Sequence, residues 1–140
     1  MNNIEASATL INQKLRFEGK AAVHLPIIID YIPPLGDGDG YMPLQLLLIS
    51  LASCSGSTVV TLLRKMSKGI SGLKVTASGE RRDEHPLGFK TIHLDFNVQS
   101  GDIIETDIQK AIQLSEQTFC PVWAMLKNNV VIKTTYSIHL

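Results

Sequence analysis

The sequence predicts an α+β fold from three observations. Apolar and polar residues alternate near both ends of the 140-residue chain, one long apolar segment in the first half has the length of a helix, and a second segment repeats its apolar residues at helical spacing. Between Ile4 and Ile29 the alternating residues are Ala6, Ala8 and Leu10, then Leu15 and Phe17, then Val23, Leu25, Ile27 and Ile29. Side chains of a strand point alternately to its two faces, so this is the pattern of two or three strands, with turns expected at Asn12-Gln13 and Glu18-Gly19-Lys20. The stretch that follows, Ile32 to Gly40, is too rich in Pro, Gly and Asp for regular structure and reads as a loop.

A helix is expected from about residue 43 to 67. Pro43 suits a first helical turn, Leu44 to Leu51 is an almost unbroken apolar run, and Arg64, Lys65 and Lys68 suit the negative end of the helix dipole. Ser and Gly are poor interior helix formers, so an irregularity is expected at Ser53 to Ser57. The first half of this helix is apolar nearly all round and needs protein on most sides. A single chain of this size can hardly wrap a helix ~35 Å long, at 1.5 Å per residue. A twofold homodimer with the helix near the shared interface is the simplest remedy.

After Gly69 the strand pattern returns with Leu73, Val75 and Ala77 and again with Ile92, Leu94, Phe96 and Val98, predicting an antiparallel hairpin. Its connection, from Ser78 through Arg81, Arg82, Asp83, Glu84 and His85 to Gly88, is charged and solvated. Ile104, Ile108, Ala111, Ile112 and Ser115 then mark a helix running to Phe119, with Asp102 or Thr106 as candidate caps. Pro121 ends it and can open a short helix over Val122 to Lys127, with Cys120 at the N-cap. Val130, Ile132, Tyr136, Ile138 and Leu140 alternate as a closing strand.

Composition narrows the function. With 44% hydrophobic and 19% charged residues the chain is globular, of a length that fits one domain over residues 1–140. Thirteen basic residues balance thirteen acidic ones, so the positive field needed for nonspecific phosphate binding is missing and nucleic acid is not an expected partner. The N-terminus has no basic stretch followed by an apolar run, and no segment reaches the ~18 apolar residues of a membrane span, so a cytoplasmic protein without a membrane partner is expected. The four histidines lack ligand spacing and no CxxC pair occurs, so no metal site is expected.

The chemistry therefore rests on Cys54 and Cys120, each in an apolar, helix-like segment. Cysteine is readily accepted in cores as a small hydrophobe, and it is also a strong nucleophile once ionised; both uses are open on composition alone. Were the helix rebuilt after Ser53, Cys54 would lie in a first turn, where unpaired amides favour a thiolate.

The segments LQLLLISLASCSGSTVVTLLRKM, IQLSEQTFCPVWAML and LGDGDGYMP resemble the central helix, the second cysteine segment and the preceding loop of the OsmC/Ohr-like proteins, named for osmotically induced protein C and organic hydroperoxide resistance protein. The order of elements matches over nearly the whole chain. The resemblance implies an intertwined homodimer and thiol peroxidase chemistry: Cys54 attacks an organic hydroperoxide and becomes a sulfenic acid, Cys120 condenses with it, and an external dithiol, in the family often lipoyl-based, reopens the disulfide. No metal or organic cofactor takes part. It further implies an arginine that keeps the cysteine ionised, for which Arg16 is the candidate, with an exposed strand charge as its alternative reading. Leu44 stands where the best-defined peroxidase branches carry a glutamate that pairs with that arginine, and neutral Gln45 follows, which implies a guanidinium held less firmly. Gln45 can hydrogen-bond a peroxide, and Tyr41, Met42, Phe119 and Trp123 can line an apolar pocket for it or simply pack. The rival functions are binding of a small apolar ligand in the same place, or thiol sensing without turnover.

Overall fold

Alternation in the first thirty residues folds as three short antiparallel strands, β1 (Ser7–Leu10), β2 (Phe17–Lys20) and β3 (Ile27–Ile29), paired in that order, in a computed structural model that describes residues 2–140. The turn after β1 falls at the expected Asn12, whose side-chain oxygen accepts the amides of Lys14 and Arg16, each at 3.0 Å. The second turn does not fall at Glu18-Gly19-Lys20. Those residues belong to β2, and the chain turns at residues 22–24, where Ala22 is left-handed with φ 52°. Gly19 answers cross-strand crowding rather than turning: a Cβ there would lie 3.1 Å from Ile29 and 3.2 Å from Ile27. Val23, expected in a strand, lies in the turn and Leu25 just after it, 97% and 91% exposed.

The chain divides into two compact units, Met1–Leu47 and Leu48–Leu140. In the first, the loop after β3 winds around the buried carboxylate of Asp30, which accepts the amides of Tyr31 at 2.8 Å, Asp37 at 3.2 Å and Asp39 at 3.3 Å. Two of its glycines are required by close approach. A Cβ on Gly36 would stand 2.2 Å from a carboxylate oxygen of Asp30, and one on Gly40 2.2 Å from the carbonyl oxygen of Ile28.

The second unit holds most of helix α1 (Pro43–Lys65), the hairpin β4 (Gly72–Arg81) and β5 (Phe89–Gln99), helix α2 (Glu105–Leu114), a π-helical turn (Ser115–Phe119), helix α3 (Pro121–Leu126) and strand β6 (Val131–His139). Strand β5 is central, antiparallel to β4 and parallel to β6. Its Ile92, Leu94, Phe96 and Val98 are fully buried, as their alternation predicts. Leu51, Ser55, Val59 and Leu63 form an every-fourth-residue stripe on α1 that is buried with them, beside Ile108, Ala111 and Ile112 of α2 and Trp123 of α3. By length and composition α1 does reach what a membrane span needs, contrary to expectation, yet this stripe is built into the core.

Helix α1 runs unbroken through Ser53 to Ser57, and ends at Lys65. The expected irregularity is absent, and the hydroxyls bond back to the helix's own carbonyls: Ser55 to Leu51 at 2.8 Å, Ser57 to Ser53 at 2.7 Å, and Thr58 to Ser55 and Thr61 to Ser57 at 2.8 Å each. Strand β4 extends into the predicted connection, to Arg81, supported by an ion pair from Lys90 to Glu80 at 2.8 Å. Neither Asp102 nor Thr106 caps α2. Ile104 is the N-cap residue, its amide donating to Asp107 at 3.0 Å, while Asp102 accepts the Gly69 amide at 3.0 Å. Helix α2 stops at Leu114, and the π-helical turn carries the chain on to Phe119.

Candidate functional site

Cys54 sits in the middle of α1, half-buried and bordering the core. The helix is continuous there, so its amides are used internally and no helix N-terminus faces the thiol, contrary to the first-turn placement that a rebuilt helix would give. Cys120 is the N-cap residue of α3, as Pro121 predicts. It is 2% exposed, and its sulfur accepts the amide of Trp123 at 3.4 Å.

The two thiols are neighbours. Burial pushes the Cys120 thiol up, the Trp123 amide pulls it down, and the nearby Cys54 thiol adds to the rise, taking it from 9.0 to about 11. Cys120 is therefore a protonated thiol at neutral pH beside a more accessible one, and both are free.

Two residues that carry no thiol link α1 to the Cys120 segment and were not apparent from the sequence. Ser115 opens the π-helical turn, its carbonyl accepts the Cys120 amide at 2.9 Å, and its hydroxyl is hydrogen-bonded to that of Thr58 on α1. The signal in the sequence was slight: Thr58 follows Cys54 by one helical turn, and Ser115 was visible only as a member of an apolar stripe.

The remaining candidates divide between the two units. In the second, Phe119 is 50% exposed at the end of the π-helical turn, and Trp123 is 1% exposed, its indole N–H buried without a partner among the described residues. Ser57, Thr58, Thr61, Leu62, Lys65 and Phe119 line a cleft of about 230 Å³. In the first unit, Tyr41 pairs with Ile28 and Asp30 through its backbone, and the side-chain oxygen of Gln45 accepts the Met42 amide at 2.8 Å, closing the start of α1.

Arg16, also in the first unit, is gripped rather than loose. Its guanidinium is hydrogen-bonded to Asp39 and lies 3.6 Å from Asp37 and 3.9 Å from the buried Asp30. Leu44 in place of an acid had implied a weak hold; Asp37 and Asp39 of the glycine-rich loop and Asp30 just before it supply three carboxylates instead. Their oxygens lie within 4.8 Å of one another, close enough for a cation, and Arg16 together with Lys14, 2.7 Å from Asp37, provides that charge. Burial opposes ionisation of Asp30, but the amides of Asp39, Asp37 and Tyr31 and the charge of Arg16 outweigh it and hold the carboxyl below its ordinary value.

Comparison with known proteins agrees with this architecture. Residues 36–135 match the family of OsmC-like proteins. Protein YhfA of Escherichia coli K12 is 30% identical over 125 residues, covering 89% of this chain and 90% of that protein. A hypothetical protein from Aquifex aeolicus VF5 superposes with a TM-score of 0.86 at 28% identity, over 99% of this chain and 97% of that one. An organic hydroperoxide resistance protein from Elizabethkingia anophelis shares the fold with a TM-score of 0.70 at 21% identity, over 99% of this chain and 96% of that one.

Proposed function

The chain belongs to the OsmC-like family, and from that premise we propose that it is a cysteine-based peroxidase that reduces organic hydroperoxides with Cys54 as nucleophile and Cys120 as resolving thiol. The observation that carries the reading is the adjacency of an accessible thiol and a buried, protonated one. The organic hydroperoxide resistance protein of the same fold supports the substrate class.

The Cys54 thiolate attacks the distal peroxide oxygen, the O–O bond breaks, and the alkoxide leaves as alcohol after taking a proton, which leaves a sulfenic acid on Cys54. Cys120 then attacks that sulfur; its thiol proton goes to the departing hydroxide, so one disulfide and one water form. An external dithiol returns both thiols by exchange and is itself oxidised to a disulfide. A high pKa suits Cys120 to this order of events, because it stays protonated and unreactive toward peroxide until Cys54 has been oxidised. Arg16 is the proposed cation for Cys54, with its side chain held by Asp30, Asp37 and Asp39. The exposed ring of Phe119 is the proposed lining for the organic part of the peroxide. The working form is a cytoplasmic homodimer.

Consumption of tert-butyl hydroperoxide with dihydrolipoamide as reductant tests the reading. The wild type is expected to turn over and Cys54→Ser to lose at least ~99% of the rate, since no other group replaces the nucleophile. Equal rates in the two proteins would overturn it. The position of Cys54 in an unbroken helix, without helix-end amides, favours one second reading, a thiol sensor oxidised once without turnover. A single equivalent of peroxide consumed per chain would indicate that.

A further inference from the structure

We propose that Ser115 and Thr58 form a positioning pair that holds Cys120 against Cys54 and so sets how readily the two sulfurs join. The proposal rests on the thiol reading above and concerns two hydroxyls that take no part in the bond exchange at sulfur.

A chain of contacts joins the two cysteine segments. Cys54 and Thr58 are one helical turn apart in α1 and share a face. The Thr58 hydroxyl donates to the carbonyl of Ser55 at 2.8 Å, so its single proton is used, and the Ser115 hydroxyl must be the donor in the bond between them. Ser115 is fully buried, and this is its hydroxyl's bond to the protein. Its carbonyl then accepts the Cys120 amide at 2.9 Å, five residues on, the hydrogen bond of a π-helical turn. These links set Cys120 beside the turn of α1 that carries Cys54.

The π-helical bond matters because it sets the direction in which position 120 leaves the turn. Had α2 continued as an α-helix, position 120 would be rotated by about 100° per residue of slippage. A disulfide tolerates Cα separations of only about 4.4 to 6.8 Å, so such a slip would take the sulfurs out of reach. Pinning Ser115 to α1 resists it, on the helix that carries Cys54.

Ser115→Ala is the clean variant, because Thr58 keeps its own acceptor and no buried donor is orphaned. The reduced protein is equilibrated in glutathione redox buffers, acid-quenched, and the Cys54–Cys120 disulfide quantified by mass. In this exchange the two thiols are oxidised, glutathione disulfide is reduced to two glutathiones, and the constant reports the effective concentration of one sulfur at the other. Ser115→Ala is expected to lower that effective concentration by about tenfold. Thr58→Ser, which keeps the hydroxyl, is expected to stay within about twofold of wild type. The rate at which peroxide oxidises Cys54 in a Cys120→Ser background should be the same with and without Ser115→Ala, a separation that general loss of structure would not give. An unchanged effective concentration in Ser115→Ala, or no Cys54–Cys120 disulfide in the wild type, overturns the proposal. Disulfide formation in glutathione without peroxide turnover would defeat the peroxidase reading and leave the positioning pair standing.

Discussion

At Cys120 burial and the neighbouring sulfur act in the same direction, and the result can be read as stability. The folded-state pKa is raised, to about 11 from 9.0, so the folded state holds its proton more tightly than the unfolded chain does. The associated stability is fully present below about pH 9 and is lost as pH rises through about 11. Denaturant unfolding of the reduced protein at pH 8 and pH 10.5 is expected to show a steeper decline for wild type than for Cys120→Ala. The opposite sign holds at Asp30. Its carboxyl is lowered below 3.8, so its contribution is present above that pH and lost as pH falls through the folded-state value. Arg16→Ala is expected to weaken that hold and, on the proposed function, to slow alkylation of Cys54 at pH 6 several-fold; an unchanged alkylation rate removes Arg16 from the chemistry. The cysteines were legible in the sequence because their side chains announce their chemistry. Asp30 and Ser115 were not, because an Asp beside a loop and a Ser on a helix acquire roles only through partners brought in by folding.

Among the elements, the stripe of α1 and the strand β5 are the most sensitive to truncation. Leu63→Ala removes a fully buried side chain and is expected to cost about 2–5 kcal/mol, and Phe96→Ala about 3–5 kcal/mol, measured by chemical denaturation. Gly40→Ala sets a methyl group against the Ile28 carbonyl and is expected to cost about 1–3 kcal/mol by forcing the loop open. Strand β5 was legible because alternation over eleven residues leaves one reading. The α1 serines were misread because propensity scales price a Ser as a competitor of the helix, whereas these hydroxyls bond within it. Val23 and Leu25 fitted a period of two by accident, and sequence alone offers no way to see that the chain has already turned at Ala22.

For the molecule as a whole, unclaimed apolar surface is the dominant fact. Leu35 and Tyr41 in the first unit and Ile49 in the second are each about half exposed or more, and the second unit has a groove of about 640 Å³ along α1, floored by Ala52, Gly56 and Val60 beside Leu73 and Val75. A surface of this kind fits the proposed homodimer. Sedimentation equilibrium should give about twice the chain mass of 15.4 kDa, and a single-chain mass would exclude the assembly. The α+β class and the order of elements could be read in advance; which faces stay open could not, because burial depends on what folds back.

The parallel pairing of β5 with β6 also governs the order of assembly. Thr91 lies opposite Val131, so the chain must close a loop of about forty residues, with α2, the π-helical turn and α3 inside it, before that ladder can form. A hairpin such as β4–β5 closes in microseconds, whereas such a distant ladder is slow. Cys54 and Cys120, 66 positions apart, likewise meet only once a long stretch of chain has closed, and a chain oxidised before that closure has its sulfurs exposed to strangers rather than to each other.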